Sequence, residues 1–241
     1  MVKGADSNII AIVVAAGSGS RFGGDVPKQF LELRGKPVLA RSAFIFREVF
    51  PDCRLIIVLS ADGRERWQKY CAAHPEVPEH AVVEGGDTRH DSVMRALRHA
   101  SALPAFGGST VMIHDGARPL IDADTLRELA GAAADGSNAV PALEITDSVL
   151  YLRDECIASM PRNMVRTVQT PQVFRGVSLL EAFERYHNDP KPLPVTDDLS
   201  VMMRYSPDIH TTLVPGKRRN IKITNPGDLA LAEFYLDRPD L

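Results

Sequence analysis

The sequence predicts an α/β protein with a Rossmann-like, doubly wound, mostly parallel sheet, helices on both of its faces and a protruding β-hairpin arm. Residues 9–16 and 55–59 are continuous apolar runs, and residues 111–113 form a shorter one. Such runs are typical of strands that are buried on both faces, as in parallel sheets. The segments between the runs have helical periodicity, and this alternation of strands and helices favours a parallel sheet.

Three segments carry the helical pattern most clearly. Residues 92–103 place an apolar side chain at every third or fourth position, which predicts an amphipathic helix. Residues 124–134 repeat the pattern, and Gly136 is a suitable stop signal. Near the end of the chain, Asn225 offers an N-cap and Pro226 the first position of a further helix.

Residues 145–168 interrupt this alternation. Two short β-like pieces, 148–151 and 165–168, flank a polar turn at 153–155, which predicts a hairpin that protrudes from the sheet. An isolated two-stranded ribbon is only marginally stable in water. We therefore expect a single domain over residues 1–241, with residues 145–168 as an arm that is buried against a second copy in a homodimer.

The composition narrows the classes of partner. Of the 241 residues 44% are hydrophobic and 24% charged, which is ordinary for a soluble protein, and the net charge of −3 offers no cationic field for a nucleic acid. The longest apolar run is too short to span a membrane, and no signal peptide is recognised. The three cysteines, Cys53, Cys71 and Cys156, are scattered. They predict a reducing, cytoplasmic location.

A glycine-rich loop follows the first predicted strand. It reads A-A-G-S-G-S-R-F-G-G over residues 15–24 and continues to Pro27-Lys28-Gln29. Glycines let backbone N–H groups approach a phosphate chain, and Arg21 and Lys28 add two cations. The loop also lies beyond the carboxyl end of a strand, where open α/β sheets bind their ligands. The pattern therefore predicts a phosphate-binding loop.

Two familiar glycine motifs are excluded here. Phe22 occupies the third glycine position of a dinucleotide fingerprint, and Asp25-Val26 replaces the Lys-Ser/Thr pair of a P-loop. A dehydrogenase is therefore the weakest of the alternatives.

Further candidate residues lie near later strand ends. Asp115 follows the third apolar run, so it is placed to hold substrate hydroxyls or to join a Mg²⁺ shell. Arg118 is interpreted as either a loop organiser or a direct ligand, and His114 as a packed strand residue. Residues 85–87, taken alone, form a turn that Thr88 follows as a helix cap. No His/Cys/Asp cluster has metal-ligand spacing, so a metal held by the protein is not predicted.

The blocks, read together, resemble a known family. The motif A-A-G-x-G-x-R-x-G-x-x-x-P-K-Q is similar to that of nucleotidyltransferases for sugar and polyol phosphates. Further matching blocks lie at residues 85–93, 114–119, 170–174, 196–198 and 220–224. Together they are most similar to the 2-C-methyl-D-erythritol 4-phosphate cytidylyltransferases.

The resemblance implies in-line attack of a polyol phosphate on the α-phosphorus of CTP, with Mg²⁺ on the triphosphate, and it assigns roles to residues. The implied catalytic residues are Arg21, Lys28, Arg162 and Lys222. Those implied to bind CTP are Ala15, Ala16, Gly17, Gly19, Arg21, Lys28, Gly86, Asp87 and Ser92. Those implied to bind the acceptor are Asp115, Thr146, Arg162, Thr170, Thr196 and Lys222. Thr146 and Arg162 would reach the site of the neighbouring subunit.

Two other functions remain as alternatives. A cytidylyltransferase for ribitol 5-phosphate or a related polyol phosphate shares the first loop, but resembles A-G-G there, where this chain has Ala15-Ala16-Gly17. A non-catalytic nucleotide-binding module would keep the loop without needing the four cations Arg21, Lys28, Arg162 and Lys222 together.

Overall fold

The computed structural model describes residues 8–17, 26–153 and 156–238. The strands in these ranges are β1 (Ile9–Val14), β2 (Glu32–Leu33), β3 (Lys36–Pro37), β4 (Arg54–Leu59), β5 (Ala81–Glu84), β6 (Thr110–Asp115), β7 (Asn138–Glu144), β8 (Val149–Arg153), β9 (Cys156–Met160), β10 (Arg166–Val168), β11 (Gln172–Arg175) and β12 (Thr211–Pro215). The helices are α1 (Val38–Val49), α2 (Ala61–Ala73), α3 (Arg89–Ser101), α4 (Ala123–Ala132), α5 (Gly176–Asn188), α6 (Asp198–Tyr205) and α7 (Pro226–Leu236).

The central sheet of the described ranges has eight strands in the order β10-β7-β11-β6-β1-β4-β5, with β12 also paired to β7. Strands β6, β1, β4 and β5 run parallel, and β12 runs parallel to β7. In the described part of this sheet, β10 and β11 run antiparallel to their neighbours. The predicted mostly parallel sheet is confirmed, and the carboxyl ends of its four parallel central strands share one edge.

Alternate residues of β1 face two different cores, which explains why its sequence is apolar throughout. Ile9, Ala11 and Val13 pack with buried residues of α1, α2 and α4. Ile10 and Ile12 pack on the other face with α3, α5 and α6. Successive side chains of a strand point to opposite faces, so only a strand covered on both sides needs apolar residues at every position. Helices on both faces are therefore confirmed.

The predicted helices are present, and their ends follow their caps. Thr88 and Asp91 form a capping box at the start of α3, and Asn225 and Asp228 form another at α7. Helix α4 begins after Asp122 and ends at Ala132, shorter than the predicted 124–134 at its carboxyl end. No helix within the described ranges is long and apolar enough to cross a membrane.

The hairpin is confirmed, but its predicted second strand is wrong. Strand β8 pairs antiparallel with β9, and residues 166–168, predicted as the returning strand, form β10 and pair with β7 in the central sheet. The segment 157–159 reads Ile-Ala-Ser, and its small residues lack the alternation by which strands are recognised. The two strands of the hairpin, β8 and β9, therefore lie within the predicted arm 145–168.

One face of this hairpin is apolar and bare. Leu150 and Leu152 lie two positions apart on β8, and Ile157 is opposite Leu152 on β9, so the three side chains share a face. Their exposed fractions are 62%, 69% and 71%. We call these three residues the arm face.

Candidate active site

Two adjoining cavities lie at the carboxyl edge of the parallel strands. The first, of about 470 Å³, is here called the loop cavity. It is lined by Val14, Ala15, Ala16, Gly17, Lys28, Gln29, Gly86, Asp87, Thr88, Arg89, Ser92, Asp115, Ala117, Lys222 and Thr224. The second, of about 370 Å³, is called the α6 cavity. It is lined by Arg89, Asp115, Arg118, Val168, Thr170, Gln172, Thr196, Asp197 and Lys222.

Three residues line both cavities, namely Arg89, Asp115 and Lys222, and we call them the shared wall. The Asp115 carboxylate lies at its centre, with Lys222 Nζ at 2.8 Å and Arg89 Nε at 3.3 Å. Arg118 Nε approaches the same carboxylate at 3.7 Å. Burial alone would raise the pKa of Asp115, but the charges of Arg89 and Lys222 hold that pKa far below its usual range. Asp115 is therefore an anion that three cations keep in place.

Arg89 also forms an ion pair with Asp198, a residue to which the sequence analysis gave no role. Its Nη1 and Nη2 donate to the two carboxylate oxygens of Asp198 at 2.9 and 2.7 Å. Burial alone would lower the pKa of Arg89, yet the carboxylates of Asp198 and Asp115 raise it. One sequence signal could have indicated this pair, because a cation in the first turn of a helix opposes the helix dipole and needs a nearby anion.

A buried histidine supports the end of β6 from within. The Nε2 atom of His114 is 3.0 Å from the Arg118 carbonyl oxygen, and Nδ1 is 3.1 Å from Thr170 Oγ1. Burial lowers the pKa of His114 to about 4, so the ring is neutral and Nε2–H donates to the carbonyl. The Thr170 hydroxyl then donates to Nδ1 and accepts the Asp115 N–H at 3.0 Å. His114 is thus a packed strand residue, as interpreted.

The start of the glycine-rich loop is held in place by Gln29, a residue to which the sequence analysis gave no role. Gln29 is buried, and its Nε2 donates to the carbonyl oxygens of Ala15 at 2.8 Å and Gly17 at 3.1 Å. The preceding residue, Lys28, lines the loop cavity. Residues 18–25, and with them the predicted Gly19 and Arg21, lie outside the described residues.

The turn between β5 and α3 forms the opposite side of the loop cavity. Ser92 Oγ accepts the Gly86 N–H at 3.0 Å and donates to the Thr88 carbonyl oxygen at 2.9 Å. A Cβ atom on Gly86 would lie 2.3 Å from the Cβ of Asp91, so only glycine fits this close approach. Gly86, Asp87 and Ser92 all line the cavity. The structural role of Thr88 as a cap is confirmed, and it coexists with a place in the cavity wall.

Two hydrogen bonds hold the segment that carries Lys222 against residues that lie next to β6 and β11. Arg118 Nη1 donates to the Asn220 carbonyl oxygen at 2.8 Å, and Asn220 Nδ2 donates to the Thr170 carbonyl oxygen at 2.9 Å. Lys222 follows two residues later, so this brace sets its distance from Asp115. These contacts give Arg118 a structural role, which is one of its two interpretations, and its role as a direct ligand stays a prediction.

The remaining predicted residues divide into two groups. Thr196 is exposed and lines the α6 cavity. Thr146 and Arg162 are exposed at the base of the hairpin and contact each other, since Arg162 Nη1 donates to the Thr146 carbonyl oxygen at 2.9 Å. Neither residue lines the loop cavity or the α6 cavity of its own chain.

The described part of the site does not fit a metal held by the protein alone. Within those ranges no group of three or more His, Cys, Asp or Glu side chains is arranged to hold a metal ion. Asp115 already faces three cations, and a further dication would have to displace at least one of them. A triphosphate, by contrast, supplies oxygen ligands of its own.

Comparisons with known proteins agree along nearly the whole chain. A sequence-family model described as IspD, 2-C-methyl-D-erythritol 4-phosphate cytidylyltransferase, matches residues 9–238. The enzyme of that name from Phocaeicola vulgatus is 35% identical over 93% of this chain and 98% of its own length, and that from Bacteroides thetaiotaomicron is 36% identical with the same coverage.

A solved structure shows the same fold. The 4-diphosphocytidyl-2C-methyl-D-erythritol synthase from Anaerococcus prevotii superposes with a TM-score of 0.81 at 26% identity, and the match covers 97% of each chain. The family match therefore includes the glycine-rich loop, the shared wall and the arm in one alignment. The chain belongs to the 2-C-methyl-D-erythritol 4-phosphate cytidylyltransferase family.

Proposed function

We propose that this protein transfers the cytidylyl group of CTP to 2-C-methyl-D-erythritol 4-phosphate, giving 4-diphosphocytidyl-2-C-methyl-D-erythritol and pyrophosphate. The observation that carries the proposal is the pair of adjoining cavities with one charged wall in a chain of this family. Two substrates that must react with each other need neighbouring sites, and their phosphates need cations between them.

In the proposed reaction an oxygen of the acceptor phosphate attacks the α-phosphorus of CTP. A new phosphorus–oxygen bond forms, the bond to the β-phosphate bridging oxygen breaks, and its electron pair leaves with pyrophosphate. Negative charge accumulates on the α-phosphate and the leaving group, so catalysis depends on positioning and electrostatic stabilisation. Lys28 supplies a cation from the loop cavity and Lys222 one from the shared wall, and Arg21 is expected to add a third.

The loop cavity suits CTP. Residues 15–17 line this cavity together with Lys28 and are assigned to the triphosphate, and Gly86 and Asp87 line it as well. Cytosine offers the N4 amino group as donor and O2 and N3 as acceptors, which backbone groups of a rigid turn can recognise. Ser92 fixes that turn by its two hydrogen bonds. This arrangement supports selection of cytosine by Gly86, Asp87 and Ser92.

The α6 cavity suits the acceptor. Asp115 stays ionised, so its carboxylate accepts hydrogen bonds from polyol hydroxyls. Lys222 lies 2.8 Å from it and offers its charge to the acceptor phosphate. Thr170 and Thr196 line the same cavity. We assign these four residues to acceptor binding.

The proposed active form is a homodimer in which Thr146 and Arg162 serve the partner's acceptor site. Two observations support it, namely the position of both residues outside the cavities of their own chain and the bare arm face. Mixing Arg162→Ala with Lys28→Ala protein under subunit exchange tests the sharing. One intact site per mixed dimer should restore about one quarter of wild-type turnover. A mixture no more active than its parents would contradict shared sites.

We further propose that Mg²⁺ enters with the triphosphate of CTP, whose oxygens and water supply most of its ligands. The protein's part is to hold the charged phosphates with Lys28 and Lys222. A cytoplasmic location is also proposed, and the free thiols of Cys53 and Cys71 are consistent with a reducing compartment.

The central test is Mg²⁺-dependent pyrophosphate release from CTP with 2-C-methyl-D-erythritol 4-phosphate. Ribitol 5-phosphate and UTP serve as the competing acceptor and nucleotide. Lys28→Ala should lose the activity, whereas Lys69→Ala, a surface lysine paired with Glu65, should keep it. Pyrophosphate release with ribitol 5-phosphate, and none with 2-C-methyl-D-erythritol 4-phosphate, would identify the pentitol phosphate as the acceptor. CTP binding without pyrophosphate release from any substrate pair would indicate a non-catalytic binding module.

A further inference from the structure

A buried acid determines how Arg89 faces the two cavities. Asp198 is fully buried, and both its oxygens accept from Arg89, at 2.9 and 2.7 Å. Arg89 keeps 24% of its side chain exposed, and its Nε donates to Asp115. A planar guanidinium held by two parallel bonds has one orientation, so the carboxylate of Asp198 sets the direction of Arg89.

Asp198 is in turn anchored to the central sheet. Gln172 of β11 is buried, and its side-chain amide spans the start of α6. Its Nε2 donates to Asp197 Oδ2 at 2.6 Å, and its Oε1 accepts the Leu199 N–H at 2.8 Å. The residues on both sides of Asp198 are thus fixed to the strand next to β6, which ends at Asp115. The position of Arg89 follows from that of the sheet.

Stability alone is a weak reason for this pair. Burying two charges carries a desolvation cost that their attraction often fails to exceed, and apolar residues can replace such pairs without loss. Nor does Asp115 depend on Arg89 for neutralisation, since Lys222 and Arg118 also face it. What the pair supplies is a guanidinium in one fixed place between two sites.

We propose that Asp198 is a positioning residue for cytidylyl transfer, holding Arg89 in the shared wall so that Arg89 orients Asp115 on the acceptor side and faces phosphate oxygens of CTP on the other. The proposal rests on the proposed function of this site. Of the five N–H groups of Arg89, three are used in these bonds among described residues, which leaves two that can meet phosphate oxygens.

A double-mutant cycle tests whether Asp198 acts through Arg89. Asp198→Asn, Arg89→Gln and the double variant are compared with wild type in kcat and KM for each substrate. Each single change should lower kcat/KM for the acceptor roughly 10²-fold, because a misdirected group costs about that much. The double variant should be no worse than either single one.

Two further variants separate positioning from folding. Asp198→Glu keeps the charge but moves the carboxylate by one methylene, so it should remain folded by circular dichroism and still lower kcat. Asp122→Asn removes a carboxylate paired with Lys217 at the start of α4, outside both cavities, and should leave turnover unchanged. Full turnover in Asp198→Asn or Asp198→Glu, or losses that multiply in the double variant, would overturn the proposal.

A spectroscopic measurement is independent of turnover. The Arg89 Nε–H signal, assigned by its loss in Arg89→Gln, should exchange slowly with solvent and shift on addition of CTP. In Asp198→Glu it should exchange faster and shift less. Wild type that shows this response but releases no pyrophosphate would refute the proposed function and support the positioning role. Normal turnover with an unaltered Arg89 signal in Asp198→Glu would support the proposed function and refute the positioning role.

Discussion

The charged side chains of the shared wall are paired with one another within the chain, whereas the apolar side chains of the arm face are exposed. At the shared wall the side chain of Asp115 is 10% exposed and lies close to Arg89, Arg118 and Lys222. These cations come from α3, from the loop after β6 and from the segment before α7. The arm face instead leaves Leu150, Leu152 and Ile157 more than 60% exposed.

This difference indicates which part of the proposed site would depend on a second subunit. The charges of the shared wall are already oriented by contacts within the chain, so little reorganisation is needed when substrates bind. Arg162, next to the arm, is exposed and bound to the Thr146 carbonyl oxygen. A cation on an exposed hairpin gains a fixed direction once the hairpin packs against a partner. Four predictions test this contrast.

The largest expected effect is at the shared wall. Lys222→Ala removes the cation nearest to Asp115 and should lower turnover roughly 10²–10³-fold, as for other groups that stabilise transition-state charge. Lys222→Arg should recover part of the loss, because the charge is retained with a different geometry. Steady-state kinetics with Lys69→Ala as control measures this. Turnover within twofold of wild type would remove Lys222 from the mechanism.

A charge introduced into the arm face should disrupt the proposed dimer without altering the shared wall. Leu152→Glu places a carboxylate in the arm face, which a partner surface would have to desolvate. We expect a shift from dimer to monomer in analytical ultracentrifugation and at least a tenfold fall in turnover, with the melting temperature of the monomer little changed. Leu231→Glu, on exposed α7, is the matched control. An unaltered dimer would show that the arm face is not the interface.

The buried histidine beside Asp115 gives the stability of the fold a pH dependence. His114 has a folded-state pKa of about 4 against an ordinary 6.5, so the unfolded chain binds a proton that the folded chain does not. The free energy of unfolding should therefore fall as pH drops from 6.5 to 4, by about 3 kcal/mol from this residue. Denaturant unfolding of wild type and His114→Gln measures it. An equal pH slope in both proteins would contradict the assignment.

The smallest effect is expected at the base of the glycine-rich loop. Gln29→Ala removes the donors to the Ala15 and Gly17 carbonyl oxygens, which should cost about 1–2 kcal/mol in CTP binding, or roughly tenfold in KM for CTP. The kcat and the dimer should be preserved. Gln68→Ala, on the exposed face of α2, is the control. A change in the KM for the acceptor, with the KM for CTP unchanged, would show that Gln29 does not act on CTP binding.

Local chemistry explains what could be predicted from the sequence. The apolar run of β1, the cap at Thr88 and the N-cap at Asn225 with Pro226 each depend on a few neighbouring residues. The family's motif blocks added Lys28, Asp115 and the other candidate residues in their order along the chain. The predicted strand and caps agree with the described structure because short-range signals need no knowledge of the rest of the fold. The roles of the candidate residues stay predictions.

The predictions that failed or were missing concern residues far apart in the chain. Residues 166–168 have strand character wherever they pair, and only the packed sheet assigns them to β7 and not to the hairpin. Arg89 and Asp198 are 109 residues apart, and Arg118 and Asn220 are 102 apart. No local pattern connects such pairs.

The sequence by itself determined the fold class and the family, because these rest on periodicity and contiguous motifs, and it predicted a phosphate-binding loop from its glycine positions. The tertiary structure decided which charges meet. It joined the end of β6 to α3, α6 and the segment before α7, and so made Asp115 the centre of a wall between two cavities. The physical reason is that electrostatic energy depends on distance in space, which the chain sets only after its strands and helices have packed.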